Sequence, residues 1–220
     1  MSEGLRPRVG VHRVSHAEPE PLKSGGAEGN ERLTALTGAV LLVLLAAEGF
    51  TILSLRQMLT PHFFIGMLLL GPVALKAGST IYRFTRYYTG SIPYRRKGPP
   101  APLLRLLGPV VIATTVGVFG TGIALAVTGP AGRQPWLFLH KASFVLWFCA
   151  MTIHVLAYLP RLPRLLAADA RGDGYGGRAA AALGGRGLRL ALLVASLAAG
   201  LVIAMLTVHL AAPWQFAGGG

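Results

Sequence analysis

The 220-residue sequence has few charged side chains. Only 13% of its residues are Asp, Glu, Lys or Arg, whereas 53% are apolar, and a soluble globular domain is usually about one-quarter charged. This composition argues against a water-soluble enzyme. Apolar stretches of about 20 residues, the length that crosses about 30 Å of hydrocarbon, occur repeatedly along the chain. The sequence therefore predicts an integral membrane protein.

Cysteine and acidic residues are also scarce. The single cysteine, Cys149, excludes an intramolecular disulfide and a cysteine-ligated metal cluster built from this chain. Asp and Glu number 8 against 21 Lys and Arg. The basic residues lie between the apolar stretches, so we expect no nucleic-acid partner. The sequence also contains no nucleotide-binding loop, nucleophile elbow, paired catalytic carboxylates or zinc motif. Any chemistry is therefore expected to belong to a cofactor.

Five apolar segments are predicted to be transmembrane helices, because unpaired backbone groups are costly in lipid and no segment alternates like a barrel strand. They span residues 33–55, 62–84, 103–127, 136–159 and 188–212. We expect an all-α bundle with a four-helix core over 33–165. Residues 1–32 are expected to be a disordered cytoplasmic tail, and the Gly-, Ala- and Arg-rich residues 166–187 a cytoplasmic linker that tethers the fifth helix loosely. Residues 213–220 are expected to be a short extracytoplasmic tail.

The distribution of basic residues predicts the orientation of these helices. Seventeen of the 21 Lys and Arg residues lie in residues 1–32, 83–105 and 161–189, which fall on one side of a five-span bundle. The other side holds only three, Arg56, Arg133 and Lys141. By the positive-inside rule, the N-terminus is expected in the cytoplasm and the C-terminus outside.

Ionisable side chains inside membrane spans are costly and need an explanation. Six lie in the predicted spans or at their ends: Glu48, His62, Lys76, His140, His154 and His209. His140 and His154 are 14 residues apart, which places them about 21 Å apart and within about 40° of the same helix face. His62 and Lys76 have the same spacing on the second helix, which runs in the same direction. Two facing pairs are therefore expected, His62 with His140 and Lys76 with His154.

Two neutral imidazoles on facing helices are suited to act as the axial ligands of a b-type haem. The pattern, together with PHFF at 61–64, STIYRF at 79–84 and LHK at 139–141, resembles bacterial membrane-integral b-type cytochromes. These are the haem-carrying membrane subunits of respiratory dehydrogenases and their small relatives, and the resemblance covers roughly residues 33–165. It implies haem b, a place in the bacterial cytoplasmic membrane, and electron transfer with quinone. It also implies an extracytoplasmic redox partner, often a molybdenum oxidoreductase, and favours an electron-transfer subunit over a self-contained enzyme.

The number of haems depends on position 76, where a member with two haems is expected to carry histidine and this chain has Lys76. One haem between His62 and His140 is the favoured arrangement. A second haem at an inner site, ligated by His154 and Lys76, is the other. His209 lies at about the depth of His62 and is an alternative outer ligand.

Basic side chains are expected to partner the propionates of a bound haem, because Arg and Lys form charge-assisted hydrogen bonds with carboxylates. Arg56 and Lys141 lie at the predicted depth of the outer haem, and Arg83 at that of an inner one.

A haem-free membrane protein, either a small transporter or an assembly factor, is the alternative function. In this case Lys76 and Glu48 would form an intramembrane polar pair. The sequence has neither paired broken helices nor inverted repeats, which disfavours a transporter. Haem content distinguishes the two functions.

Overall fold

A computed structural model of the chain describes residues 27–96, 98, 102–170 and 185–216. In chain order, its helices are α1 (Ala27–Leu53), α2 (Leu59–Tyr88), α3 (Ile92–Arg96), α4 (Pro102–Thr128), α5 (Arg133–Tyr158), α6 (Leu162–Ala170), α7 (Arg186–Thr207) and α8 (Ala212–Phe216). Short 3-10 turns, Leu159–Arg161 and Val208–Ala211, connect α5 to α6 and α7 to α8. The described ranges contain no β-strand.

Five helical stretches in the described part of the chain are long and apolar enough to cross a membrane. They are Ala27–Leu53, Leu59–Tyr88, Arg105–Thr128, Arg133–Ala167 and Arg186–Gln215. The prediction of an all-α bundle with five transmembrane helices is confirmed. Each long helix exposes large apolar side chains, among them Val43, Ile81, Val116, Leu146 and Leu206. The protein is therefore a multi-pass membrane protein whose outer surface contacts lipid.

Helix α1 begins earlier than the sequence predicted, at Ala27, so the last residues of the predicted 1–32 tail are helical. The Asn30 side-chain amide donates a hydrogen bond to the Ser79 carbonyl of α2 over 3.0 Å. The hydroxyls of Thr34 and Ser79 are also 3.0 Å apart. These bonds hold the first turns of α1 against α2 and extend the helix beyond its apolar part. Residues 1–26 of the predicted tail lie outside the described residues.

The predicted linker, residues 166–187, is helical at both of its ends. Helix α6 continues to Ala170 and packs against α1, and α7 begins at Arg186. Residues 171–184 of that linker, and residues 217–220 of the predicted C-terminal tail, lie outside the described residues.

The long helices form two packed groups. Helices α1 and α7 pack along α2, and we call α1, α2 and α7 the three-helix group. Helices α4 and α5 pack against each other as an antiparallel α4–α5 hairpin, in which the Trp147 indole N–H donates to the Thr115 hydroxyl over 3.1 Å. The two groups meet at a buried apolar cluster formed by Met67 of α2, Ala126 of α4 and Ala204 of α7.

Helix α7 lies against α2 at two glycines. A Cβ atom added at Gly71 would collide with the backbone of Ser196, and one added at Gly200 would collide with the Leu68 carbonyl. Small residues permit such close backbone approach between membrane helices. The structure therefore differs from the expectation that the fifth span is loosely tethered to a core of four. The glycine contacts fix its position on α2, whatever the length of the preceding linker.

Candidate functional site

His62 lies in the first turn of α2, at the end of the bundle that carries the turns 54–58 and 129–132, here called the histidine end. Its Nδ1 atom is 2.9 Å from Glu48 Oε1 and 3.0 Å from Thr51 Oγ1, both on α1. The Thr51 hydroxyl donates its own proton to the Glu48 backbone carbonyl over 2.6 Å. Thr51 therefore accepts from His62, and Nδ1 carries the imidazole proton.

His140 of α5 is held in the same way by a different partner. Its Nδ1 atom is 3.1 Å from the Val118 carbonyl oxygen of α4 and 3.2 Å from the Thr121 hydroxyl. A carbonyl oxygen can only accept, so Nδ1 of His140 is also the protonated nitrogen. The ring lies directly against Gly122, where an added Cβ would be 3.0 Å from the His140 Cε1 atom. The glycine thus makes room for the imidazole.

His62 and His140 interact electrostatically in this structure. His62 belongs to the three-helix group and His140 to the α4–α5 hairpin, so the two imidazoles come from different helix groups. Neither Nε2 atom makes a hydrogen bond within the described residues. In a neutral imidazole protonated at Nδ1, Nε2 carries the lone pair that binds a metal. The site therefore presents two oriented nitrogen donors.

Lys76 and His154 are also within electrostatic range of each other, nearer the other end of the bundle. The Lys76 ammonium, however, donates a hydrogen bond to the Thr34 carbonyl of α1 over 2.7 Å. An added Cβ at Gly38 would lie 2.8 Å from Lys76 Nζ, so the amine lies against α1. The His154 ring contacts Tyr158, with 4.8 Å between ring centroids. The two residues of the inner pair thus interact electrostatically, but the lysine is hydrogen-bonded to α1.

Lys76 and Glu48 do not pair with each other among the described residues. Glu48 contacts His62, whereas Lys76 contacts Thr34. Positions 34 and 48 are separated by 14 residues of α1, which corresponds to about 21 Å along the helix. The intramembrane Lys76/Glu48 pair expected for a haem-free protein is therefore absent from this geometry.

The remaining candidate residues lie around these two pairs. His209 is exposed on the 3-10 turn after α7. Arg56 and Lys141 are exposed at the histidine end, and Arg83 is half-buried near the opposite end of α2. The turn that carries His209 packs against both α2 and α4, but the His209 side chain itself is exposed.

Sequence reasoning missed three groups that orient the imidazoles: the hydroxyls of Thr51 and Thr121 and the carbonyl of Val118. Thr51 follows Glu48 by three residues, a spacing that places both on one helix face and that could have indicated it. Nothing in the sequence singles out Thr121 or the Val118 carbonyl, because their role depends on the rotation of α4 against α5.

No group of three or more His, Cys, Asp or Glu residues that could hold a metal ion occurs in the ranges that the structure describes. Two imidazoles suit a metal whose other ligands come from a bound cofactor, as in haem, whose macrocycle supplies four nitrogens. Comparison of the chain with protein-family models, curated proteins and solved structures finds no match.

Proposed function

We propose that this protein is a membrane-bound b-type cytochrome in which His62 and His140 would hold one haem b through their Nε2 atoms. The proposal is carried by a single observation: among the described residues, both imidazoles use Nδ1 as a hydrogen-bond donor and leave Nε2 without a hydrogen bond. Metal-ligating histidines almost always donate their other ring N–H to a carboxylate, a carbonyl or water, which fixes the tautomer and the ring orientation. Purely structural histidines have no need to share this feature.

The surroundings of the two histidines fit a haem. Gly122 lies under the His140 ring, and Gly66 follows His62 by about one helical turn, so neither position adds a side chain at the site. Within the described residues, α2 and α5, which carry the two histidines, hardly contact each other, and this separation favours a cofactor between them. Arg56 and Lys141, exposed at the same end, are suited to bind the propionates.

A bound haem would supply a one-electron couple, Fe(III)/Fe(II), and the chain's residues would hold and orient it. The proposed role is electron transfer between the quinone pool and an extracytoplasmic redox protein, of which a molybdenum oxidoreductase is one candidate. The resemblance to bacterial membrane cytochromes and the basic distribution support a place in the bacterial cytoplasmic membrane with the N-terminus inside. This role is that of an oxidoreductase subunit, since the chemistry belongs to the cofactor.

The test is the dithionite-reduced minus oxidised absorption spectrum of the purified protein, combined with pyridine haemochrome quantification. We expect about one haem b per chain. His62→Ala and His140→Ala should each abolish the spectrum while the protein still accumulates in the membrane. His209→Ala is the matched control, because it also removes a histidine at the histidine end, and it should retain the haem.

A folded but colourless wild-type protein would end the cytochrome proposal in favour of the haem-free alternative. If His209→Ala lost the haem and His140→Ala retained it, the outer ligand would instead be His209, on the 3-10 turn after α7. Circular dichroism of each variant separates loss of the ligand from loss of the helical fold.

A further inference from the structure

The two imidazoles differ in the charge of the group that accepts their Nδ1–H. His140 donates to the neutral backbone carbonyl of Val118 over 3.1 Å. His62 shares its single Nδ1–H between the Thr51 hydroxyl and a side-chain carboxylate, Glu48 Oε1, which lies 2.9 Å from Nδ1. A carboxylate acceptor makes an imidazole a more basic ligand than a carbonyl acceptor does. The proposed axial ligands are therefore electronically unequal.

The Glu48 carboxylate is directed at His62 and at little else. Its side chain is 15% exposed and that of His62 is 23% exposed, so the pair is largely removed from solvent. The second carboxylate oxygen, Oε2, is buried and has no hydrogen-bond partner among the described residues. The negative charge of the Glu48 carboxylate is thus not shared with other hydrogen-bond donors. The low dielectric of the protein interior strengthens the effect of this charge on His62.

Contacts between α1 and α2 hold this carboxylate in place. Helix α1 is joined to α2 at both ends, by the Thr51 contact to His62 and by the Lys76 bond to Thr34. Glu48 Oε1 also lies over Gly66 of α2, where an added Cβ would be 3.5 Å away. The carboxylate is therefore positioned by helix packing, independently of a bound cofactor.

We infer that Glu48 is a positioning residue that orients the His62 ring and lowers the reduction potential of the haem bound to it. This inference rests on the proposed function. A negative charge and a more basic ligand both stabilise Fe(III) relative to Fe(II), so the potential falls. The Val118 carbonyl on the His140 side orients its ring without adding a charge.

The experiment compares haem content, midpoint potential and low-spin EPR spectra of the full-length protein at one fixed pH. Glu48→Gln keeps a hydrogen-bond acceptor but removes the charge. We expect it to retain haem and to shift the reduction equilibrium toward Fe(II) by about tenfold or more, equivalent to about 59 mV for one electron. Glu48→Ala removes the acceptor too, so its EPR g-values should also change as the ring loses its fixed orientation.

The matched control is Thr128→Val, which removes an exposed hydroxyl at the same end of α4 that bonds the Ala124 and Leu125 carbonyls of its own helix and neither imidazole. It should leave both the potential and the g-values unchanged. Glu48→Asp keeps the charge but withdraws it by one methylene group, and it provides the test if Glu48→Gln fails to fold. For Glu48→Asp we expect an altered EPR spectrum and a midpoint potential above that of the wild type.

The outcomes separate the two proposals. A wild-type protein that folds without haem contradicts the cytochrome function and this inference with it. A haem-containing wild type whose potential and EPR spectrum are unchanged in the Gln, Ala and Asp variants contradicts only the role of Glu48. A potential shift of equal size in Thr128→Val would also overturn it, because the effect would then depend neither on charge nor on contact with an imidazole.

Discussion

At the scale of single residues, the important feature is which nitrogen of each imidazole carries the proton. The 14-residue spacings predicted that His62 pairs with His140 and Lys76 with His154, and in the structure the members of each pair interact electrostatically. The spacing could not predict what fixes the rings. That depends on helix rotation, which brings the Val118 carbonyl to one imidazole and Glu48 to the other.

Lys76 provides a residue-scale prediction about haem number. Its Nζ donates to the Thr34 carbonyl over 2.7 Å, and an amine that ligates iron must present a free lone pair instead. Lys76→Met keeps an unbranched side chain of similar length without the amine. We expect its haem-to-chain ratio, measured by pyridine haemochrome, to equal the wild-type value of about one.

His154→Ala is the companion variant, since His154 would be the other ligand of an inner haem. It should also leave the ratio unchanged. A wild-type ratio of two that falls to one in both variants would contradict this prediction and establish a second, inner haem.

At the scale of elements, α2 connects most features of the protein. It carries His62 and Lys76, and it packs against both α1 and α7. Its apolar length predicted its existence, and the structure extends it to Tyr88. The role of Gly71 in holding α7 was not predictable, because glycines occur on most spans and only the packed structure shows which of them face a neighbouring backbone.

The contact between α2 and α7 predicts different effects for the same substitution at two glycines. A Cβ at Gly200 would meet the Leu68 carbonyl, whereas one at Gly78 of α2 would meet nothing within 4 Å. We expect Gly200→Ala to destabilise the protein by roughly 1–3 kcal/mol, because the helices must separate to accept the added methyl group. Gly78→Ala should be neutral or slightly stabilising.

Thermal unfolding in detergent, followed by far-UV circular dichroism, checks this pair of variants. The midpoint should fall for Gly200→Ala and not for Gly78→Ala. Equal midpoints would show that the close approach of α7 to α2 does not contribute to stability.

At the scale of the whole molecule, the protein consists of a three-helix group and a hairpin. The sequence predicted the number of spans, because hydropathy and length suffice for that. It did not predict the grouping, since the fifth span packs on the second and not at the edge of a four-helix core. Each proposed axial ligand belongs to a different group, so correct assembly of the groups is required for the imidazoles to face each other.

The prediction for the whole molecule concerns its orientation in the membrane. The sequence places most basic residues at the end opposite the histidine end, and positive charge is retained in the cytoplasm. In a Cys149→Ser background, Gln57→Cys at the histidine end should react with a membrane-impermeant maleimide added to intact cells. Thr89→Cys, at the end of α2 near α3, should react only after the membrane is permeabilised.

Both positions are exposed in the structure, so accessibility within the fold does not bias the comparison. Labelling of Thr89→Cys but not Gln57→Cys in intact cells would show that the orientation is the opposite of the predicted one. It would also place the proposed haem on the cytoplasmic side.

The packing of α7 on α2 has a consequence for biosynthesis. Synthesis from the N-terminus delivers α1 and α2 to the membrane first and the α4–α5 hairpin next, yet α2 keeps its Gly71 surface for a helix that is translated more than 100 residues later. The hairpin must therefore insert while the group beside it is still incomplete. Completion of the three-helix group therefore waits until α7, the last long helix of the described residues, leaves the ribosome.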